Sequence, residues 1–255
     1  MNAYTTHIVA ASVIFAVAGA ASAGLTDGRS QVAQWDFSGG HALDIVGNNN
    51  GQIVDQARIG TFGGRDAAGF LRGRSSDYIK FENRNAYQLS DGVIAIDFKQ
   101  TGHWNSMETL FSKDSNGYRN GGDLTINLLR GNDNHEGIIQ VRFQSDSASY
   151  YVNSGLLDLN KWYNMEFAFG ADGMQLAVDG SIVDTNAFTG GMAANTQDFS
   201  IGAARWGSEP GEWDDMRNGY SGYISSVGIY GNVVPAPGAL ALLLTGGALA
   251  SRRRR

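Results

Sequence analysis

A chain of 255 residues with 35 glycines and no cysteine excludes a disulfide-stapled scaffold and a thiolate metal site. Hydrophobic residues make up 42% and charged ones 17%, and so much glycine beside so few Lys and Glu favours strands and turns over long helices. The net charge of −6 argues against nucleic acid or an anionic membrane surface as partner.

Residues 1–23 read as a signal peptide. Ile8 to Ala20 is apolar and uncharged, and Ala21-Ser22-Ala23 supplies the small-x-small pattern cut after Ala23 by a signal peptidase. Only the amino terminus and His7 are positive ahead of it, so a buried first strand or an uncleaved anchor is the competing reading. Residues 24–233 follow as one unit, with Pro210 their only proline and no Pro-rich linker.

Within that unit, alternating runs predict strands at 31–37, 77–82, 92–100, 123–130, 137–145, 163–170, 198–204 and 221–230. In the run 92–100, Ile94, Ile96 and Phe98 share one face, opposite Val93, Ala95 and Asp97. Residues 173–183 predict a hairpin closed by Asp179-Gly180 as a turn of the primed type. Helical periodicity is missing over any useful length. Many short strands and glycine turns predict an all-β fold, a two-sheet antiparallel jelly-roll sandwich. Its expected core includes Trp35, Phe81, Ile96, Phe98, Val141, Phe143, Trp162, Phe167, Ile201 and Val227.

Residues 234–255 form the tail. Gly238 to Ala250 is apolar and uncharged but short of the roughly 20 residues of a spanning helix. Pro235 and Pro237 interrupt a helix before it, and Arg252, Arg253, Arg254 and Arg255 stay cytoplasmic by the positive-inside rule. An ordinary tail anchor is the alternative. Without both ends the body carries 15 basic against 25 acidic side chains, a net of −10.

Val-Pro-x-Pro, the Gly/Ala/Leu segment and the terminal arginines resemble the PEP-CTERM sorting signal of exopolysaccharide-producing Gram-negative bacteria, with Ala236 where the signature has Glu. The resemblance implies processing by an exosortase-type enzyme near Pro235 and Pro237 and transient inner-membrane association. It also implies export to the cell surface, outer envelope or extracellular matrix. The stretches "WDF…LDIVGNNNG", "NKWYNMEFAFGADGMQLAVDGSIV", "FSIGAARWG" and "GYISSVGIY" resemble laminin G-like, concanavalin A-like jelly rolls of bacterial surface proteins.

Chemistry on that scaffold has several candidates. Glycosidases of this fold carry Glu-x-Asp-x-x-Glu on one strand; the nearest run, from Glu212 through Asp214 to Arg217, ends on a cation and follows Pro210-Gly211 as a loop. No catalytic residue is assigned, and a polysaccharide hydrolase using Glu212 and Asp214 stands as the alternative. The histidines, His135 beside Glu136 among them, show no metal-pair spacing. Hard oxygen ligands for Ca2+ occur in two glycine loops, as Asp44 and Asn48 in one and Asp114, Asn116 and Asp123 in the other. These residues also close turns through their own side chains. The resemblance adds an acid in the last strand to the first calcium loop, where this chain has Ser225-Ser226. Trp104, Tyr118, Arg119, Trp206 and Trp213 sit in polar loops, where an aromatic face and neighbouring donors suit a sugar ring; covering the sandwich ends is the competing role. The expected function is therefore an exported, non-catalytic jelly-roll protein binding glycan or another matrix component. A self-associating coat protein is the third reading.

Overall fold

The computed structural model describes residues 24–118, 121–131, 137–207 and 210–231. The processing positions Ala23, Pro235, Pro237 and Arg252 to Arg255, together with Arg119, His135 and Glu136, lie outside the described residues.

Period-two alternation gives each strand one apolar face, and two sheets bury those faces against each other. One sheet contains β1 (Ser30–Trp35), β3 (Arg58–Phe62), β4 (Arg65–Phe70), β6 (Gly92–Gln100), β11 (Trp162–Phe169), β12 (Met174–Val178), β13 (Ser181–Asn186) and β17 (Gly222–Gly231). Its order is β13-β12-β11-β6-β17-β4-β3. The ten-residue β17 has β6 along one side and, along the other, β4 at its start and β1 at its end. The second sheet runs β10 (Ser149–Leu157), β9 (Gly137–Gln144), β8 (Leu124–Arg130), β7 (Met107–Lys113), β14 (Phe199–Ile201), β5 (Tyr78–Phe81) and β2 (Gln52–Val54). All pairings in both sheets are antiparallel. Helical structure among the described residues is two single 3-10 turns, Ser38–Gly40 and Asn85–Tyr87. The two-layer all-β sandwich expected from the alternation is what forms.

Ile94, Ile96 and Phe98 of β6 face Ile126, Leu128, Val141 and Phe143 of the second sheet's strands in one continuous core. Trp35 seals one end of it, with its Nε1 donating to the Asn49 carbonyl at 2.9 Å. The Asp179-Gly180 turn has φ of 48° and 75°, the two positive values a type I′ hairpin requires. Trp162 departs from expectation. In β11 the core parity belongs to Tyr163, Met165, Phe167 and Phe169, so Trp162 points outward, half-exposed, with the Arg65 guanidinium 4.9 Å from its ring.

A third, two-stranded sheet decides the shape of the outer surface. After β14 the chain turns at Gly202, where φ is 92° and a Cβ would lie 2.2 Å from the Phe70 ring, so only glycine fits. The hairpin of β15 (Ala204–Arg205) and β16 (Met216–Arg217) then lies as a strap on the solvent side of β7 and β14.

Candidate functional site

Outward-facing residues of β7 to β10 are polar by parity, and the register stacks them in two cross-strand rows. Thr109, Asn127, Gln140 and Asn153 form one row; Ser112, Thr125, Arg142 and Tyr151 form the other. Hydrogen bonds fix the side chains. Thr109 Oγ1 donates to Asn127 Oδ1 at 2.8 Å, Gln140 Nε2 donates to Asn153 Oδ1 at 3.1 Å, and Arg142 Nε donates to Thr125 Oγ1 at 3.1 Å. This leaves Asn127 Nδ2, Gln140 Oε1 and the Tyr151 hydroxyl without a protein hydrogen bond among the described residues. Together with Trp206 they line a cavity of about 300 Å³.

Paired positions in a hairpin share a face. Ala204 opposite Arg217 and Trp206 opposite Asp215 therefore give the strap one face, and Arg205 opposite Met216 the other. On the first face the Arg217 guanidinium lies 4.6 Å from the Trp206 ring and pairs with Asp215 at 2.8 Å. On the second, Trp213 stacks on Tyr78 with ring centroids 5.8 Å apart and approaches the Arg205 guanidinium at 5.3 Å. The strap thus divides the outer face into two grooves, each with a tryptophan. The second, about 750 Å³, lies between residues 48–52, β5 and Trp213.

Arg205 pins the strap. It is fully buried; its backbone N–H donates to Ser112 Oγ at 3.1 Å, Nε to the Glu212 carbonyl at 3.0 Å, and Nη1 to Gln197 Oε1 at 2.8 Å. Below it lies a buried charged cluster. Arg142 pairs with Asp114, Ser115 Oγ donates to Asp123 at 3.0 Å, and Lys113 Nζ donates to Asn83 Oδ1 at 2.7 Å. Burial pushes the Asp114 carboxyl up to about 6, outweighing Arg142. Burial, with Asp114 nearby, pushes Asp123 up to about 7, and burial lowers the Lys113 ammonium to about 7.

The calcium candidates are engaged by hydrogen-bond donors. The Asp44 carboxylate accepts backbone N–H groups from Gln34, Val46, Gly47 and Asn49 at 2.9–3.1 Å, closing its own loop. The Asn48 carbonyl accepts from Arg84 at 2.9 Å. Asp114 faces Arg142, and Asp123 accepts from Ser115 and, at 3.0 Å, from Asn195 Nδ2. Asn116 is exposed beside them, and Ser226 Oγ in the last strand donates to Asp97 at 3.0 Å. Donor hydrogens aimed at the Asp44, Asp114 and Asp123 carboxylates occupy oxygens that a cation would need.

Of the aromatic candidates, the structure brings Trp206 and Trp213 onto one hairpin. Trp104 is 64% exposed before the start of β7, and Tyr118 is exposed after its end, so these two mark opposite ends of the sandwich. Glu212 and Asp214 are exposed on the strap, in the loop between β15 and β16, with Asp214 beside Tyr78 and Val54 in a cavity of about 300 Å³. The polar rows were missed from sequence; their signal was the polar parity of "LTINLLR" and "GIIQVRFQ".

The Trp104 loop is held by a buried acid. Glu108 Oε1 accepts from the Trp104 N–H at 2.8 Å and Oε2 from the Ser221 N–H at 3.1 Å; His103 lies 3.9 Å away, and Arg130 and Tyr220 are the other ionisable neighbours. Burial pushes this carboxyl up from 4.5 to about 7. Between those values the folded chain binds a proton the unfolded chain does not, so stability rises as pH falls through that window and is lost as pH rises past about 7. Glu108→Gln is expected to lower the slope of stability against pH by up to ~1.4 kcal/mol per pH unit. Urea melts of both proteins at pH 5, 6 and 7 measure it.

Residues 73–237 match the family model described as the concanavalin A-like lectin/glucanases superfamily. No curated protein matches the chain. Among solved structures, domain 4 of AbnA, a GH43 extracellular arabinanase from Geobacillus stearothermophilus in complex with arabinotriose, is 16% identical. The alignment covers 80% of this chain and 93% of that one, with a TM-score of 0.58. The binding domain of botulinum neurotoxin DC in complex with rat synaptotagmin II is 11% identical over 80% of this chain and 48% of that one, with a TM-score of 0.55. A family match spanning more than half of the sequence, on two apposed antiparallel sheets, means that the chain belongs to the concanavalin A-like lectin/glucanases superfamily.

Proposed function

We propose that this protein is an exported, non-catalytic glycan-binding protein of the cell surface or matrix, and that the groove beside Trp206 holds the sugar. The observation that carries this reading is the pair of wired polar rows next to a cation-backed tryptophan. An aromatic face offers a sugar ring a flat apolar wall, while fixed amide and hydroxyl groups bond its hydroxyls without first being ordered. The described residues lining this groove include no Asp or Glu, whereas glycoside hydrolysis needs two carboxylates flanking the bond. The arabinanase domain of the same fold, solved with arabinotriose, makes a neutral oligosaccharide a sensible first probe. Export rests on the leader-like residues 1–23 and on the PEP-CTERM-like tail, with an exosortase-type enzyme as processing partner.

A glycan array followed by calorimetry on the best neutral oligosaccharide tests binding. Trp206→Ala is expected to weaken it at least tenfold, about 1.4 kcal/mol, with no release of reducing ends by either protein. Undiminished binding by the variant removes the groove from the site. Mass spectrometry of protein recovered from envelope and medium tests both ends.

A further inference from the structure

We infer that the groove on the other side of the strap is a second glycan site, selective for an acidic sugar unit, with Lys80 as the residue that reads its carboxylate. The inference rests on the glycan-binding reading of this face and extends it to a different ligand class. The two grooves differ in charge. In the Trp206 groove both cations are spoken for, Arg142 by Asp114 and Arg217 by Asp215. In the Trp213 groove neither cation has a carboxylate partner among the described residues. Lys80 stands half-buried on the outward face of β5 with its Nζ 5.6 Å from the Trp213 ring, and Arg84 donates only to the Gly47 and Asn48 carbonyls. Two acids line the groove with them. Asp198 is held by the Asn83 and Gly211 N–H groups at 2.8 and 2.7 Å and interacts with the buried Lys113 and Arg205; Glu82 is exposed and makes no ion pair among the described residues.

Within a chain of net charge −6, the lining of this groove of about 750 Å³ balances Lys80 and Arg84 against Asp198 and Glu82, and neither cation is ion-paired to a carboxylate among the described residues. Asn48, Asn50 and Gln52 along its wall offer both donors and acceptors to sugar hydroxyls, and Trp213, fixed by stacking on Tyr78, supplies the flat face. Lys80 is a point charge on a flexible stem, so it meets a carboxylate without demanding one geometry. Grooves on both sides of one strap let a single copy hold a neutral and an acidic stretch of glycan at once.

Calorimetric titration of the full chain with oligogalacturonate and oligomannuronate, each native and carboxyl-reduced, tests this. The native acid form of at least one is expected to bind tenfold or more tightly than its reduced form, and to weaken as salt screens the charge. Lys80→Gln is expected to lose that tenfold advantage, Lys80→Arg to keep it, and Trp206→Ala to leave acid binding in place. Equal affinity for acid and reduced forms, or an unaffected Lys80→Gln, overturns the inference. If both acids fail while a neutral oligosaccharide binds in a Trp206-dependent way, the second site falls and the first stands. If nothing binds, both fall.

Discussion

Arg205→Met is expected to destabilise the fold by about 3–5 kcal/mol and to weaken binding in both grooves. The magnitude is that of removing one partner from a buried charged network. Arg205 is fully buried, and its guanidinium lies among Asp198, Glu212, Asp114 and Asp123. Methionine fills the volume but leaves Gln197 Oε1 and the Glu212 carbonyl without the donors they now accept from. Burial already holds Asp123 up to about 7, and losing a cation raises it further. Lys113 moves the same way, because Arg205 now repels its ammonium. Lysine at position 205 keeps the charge but not the planar fork that reaches Gln197 and Glu212 together, so Arg205→Lys is expected to recover less than half of the loss. Urea denaturation read as a shift in midpoint at constant m-value measures the stability cost. A loss under 1 kcal/mol, or strong binding retained in both grooves, would show that the strap is held by something else.

The length of the alternating runs governed how much of this fold could be read from residues alone. β6, β8, β9 and β17 have seven to ten residues with apolar residues recurring on the core side, and they were visible as strands. β7 was not, because its sequence "METLFSK" buries Glu108, Thr109, Ser112 and Lys113 as well as Leu110 and Phe111. The strap bonds Ser112 through the Arg205 N–H, while Glu108 is satisfied by Trp104 and Ser221, Thr109 by Asn127 and Lys113 by Asn83, so burial no longer follows polarity. Short, glycine-bearing β3 and β4 and the two-residue strands of the strap carry too little pattern to register. The site divides similarly. Trp206 and Trp213 were legible as aromatics in polar loops. Asn127 and Gln140, thirteen residues apart, become neighbours only through the register of β8 against β9. Asp44 has a ligand's chemistry, yet its oxygens are consumed by four N–H groups that only the folded loop presents.

Phe199→Ala carries the other large effect, an expected loss of about 3–5 kcal/mol, the range for deleting a buried aromatic ring. Phe199 is wholly buried, and its ring meets those of Phe81 at 4.6 Å, Tyr87 and Phe111 at 5.4 Å, and Trp35 at 5.7 Å. Four rigid neighbours from β1, β5, β7 and a 3-10 turn cannot all collapse into the space one ring leaves, so most of the cavity term remains. The consequence reaches the surface because β14 has only three residues, and Gly202 and the strap follow directly. Phe199→Leu keeps much of the volume and is expected to cost about 1–1.5 kcal/mol. In that milder variant the strap amides of Arg205 and Trp206 are expected to exchange hydrogen faster than those of β8, whose ladder is anchored on both sides by β7 and β9. Equal acceleration in the strap and in β8 would mean that the domain opens only as one unit, and that the two grooves are as rigid as the core beneath them.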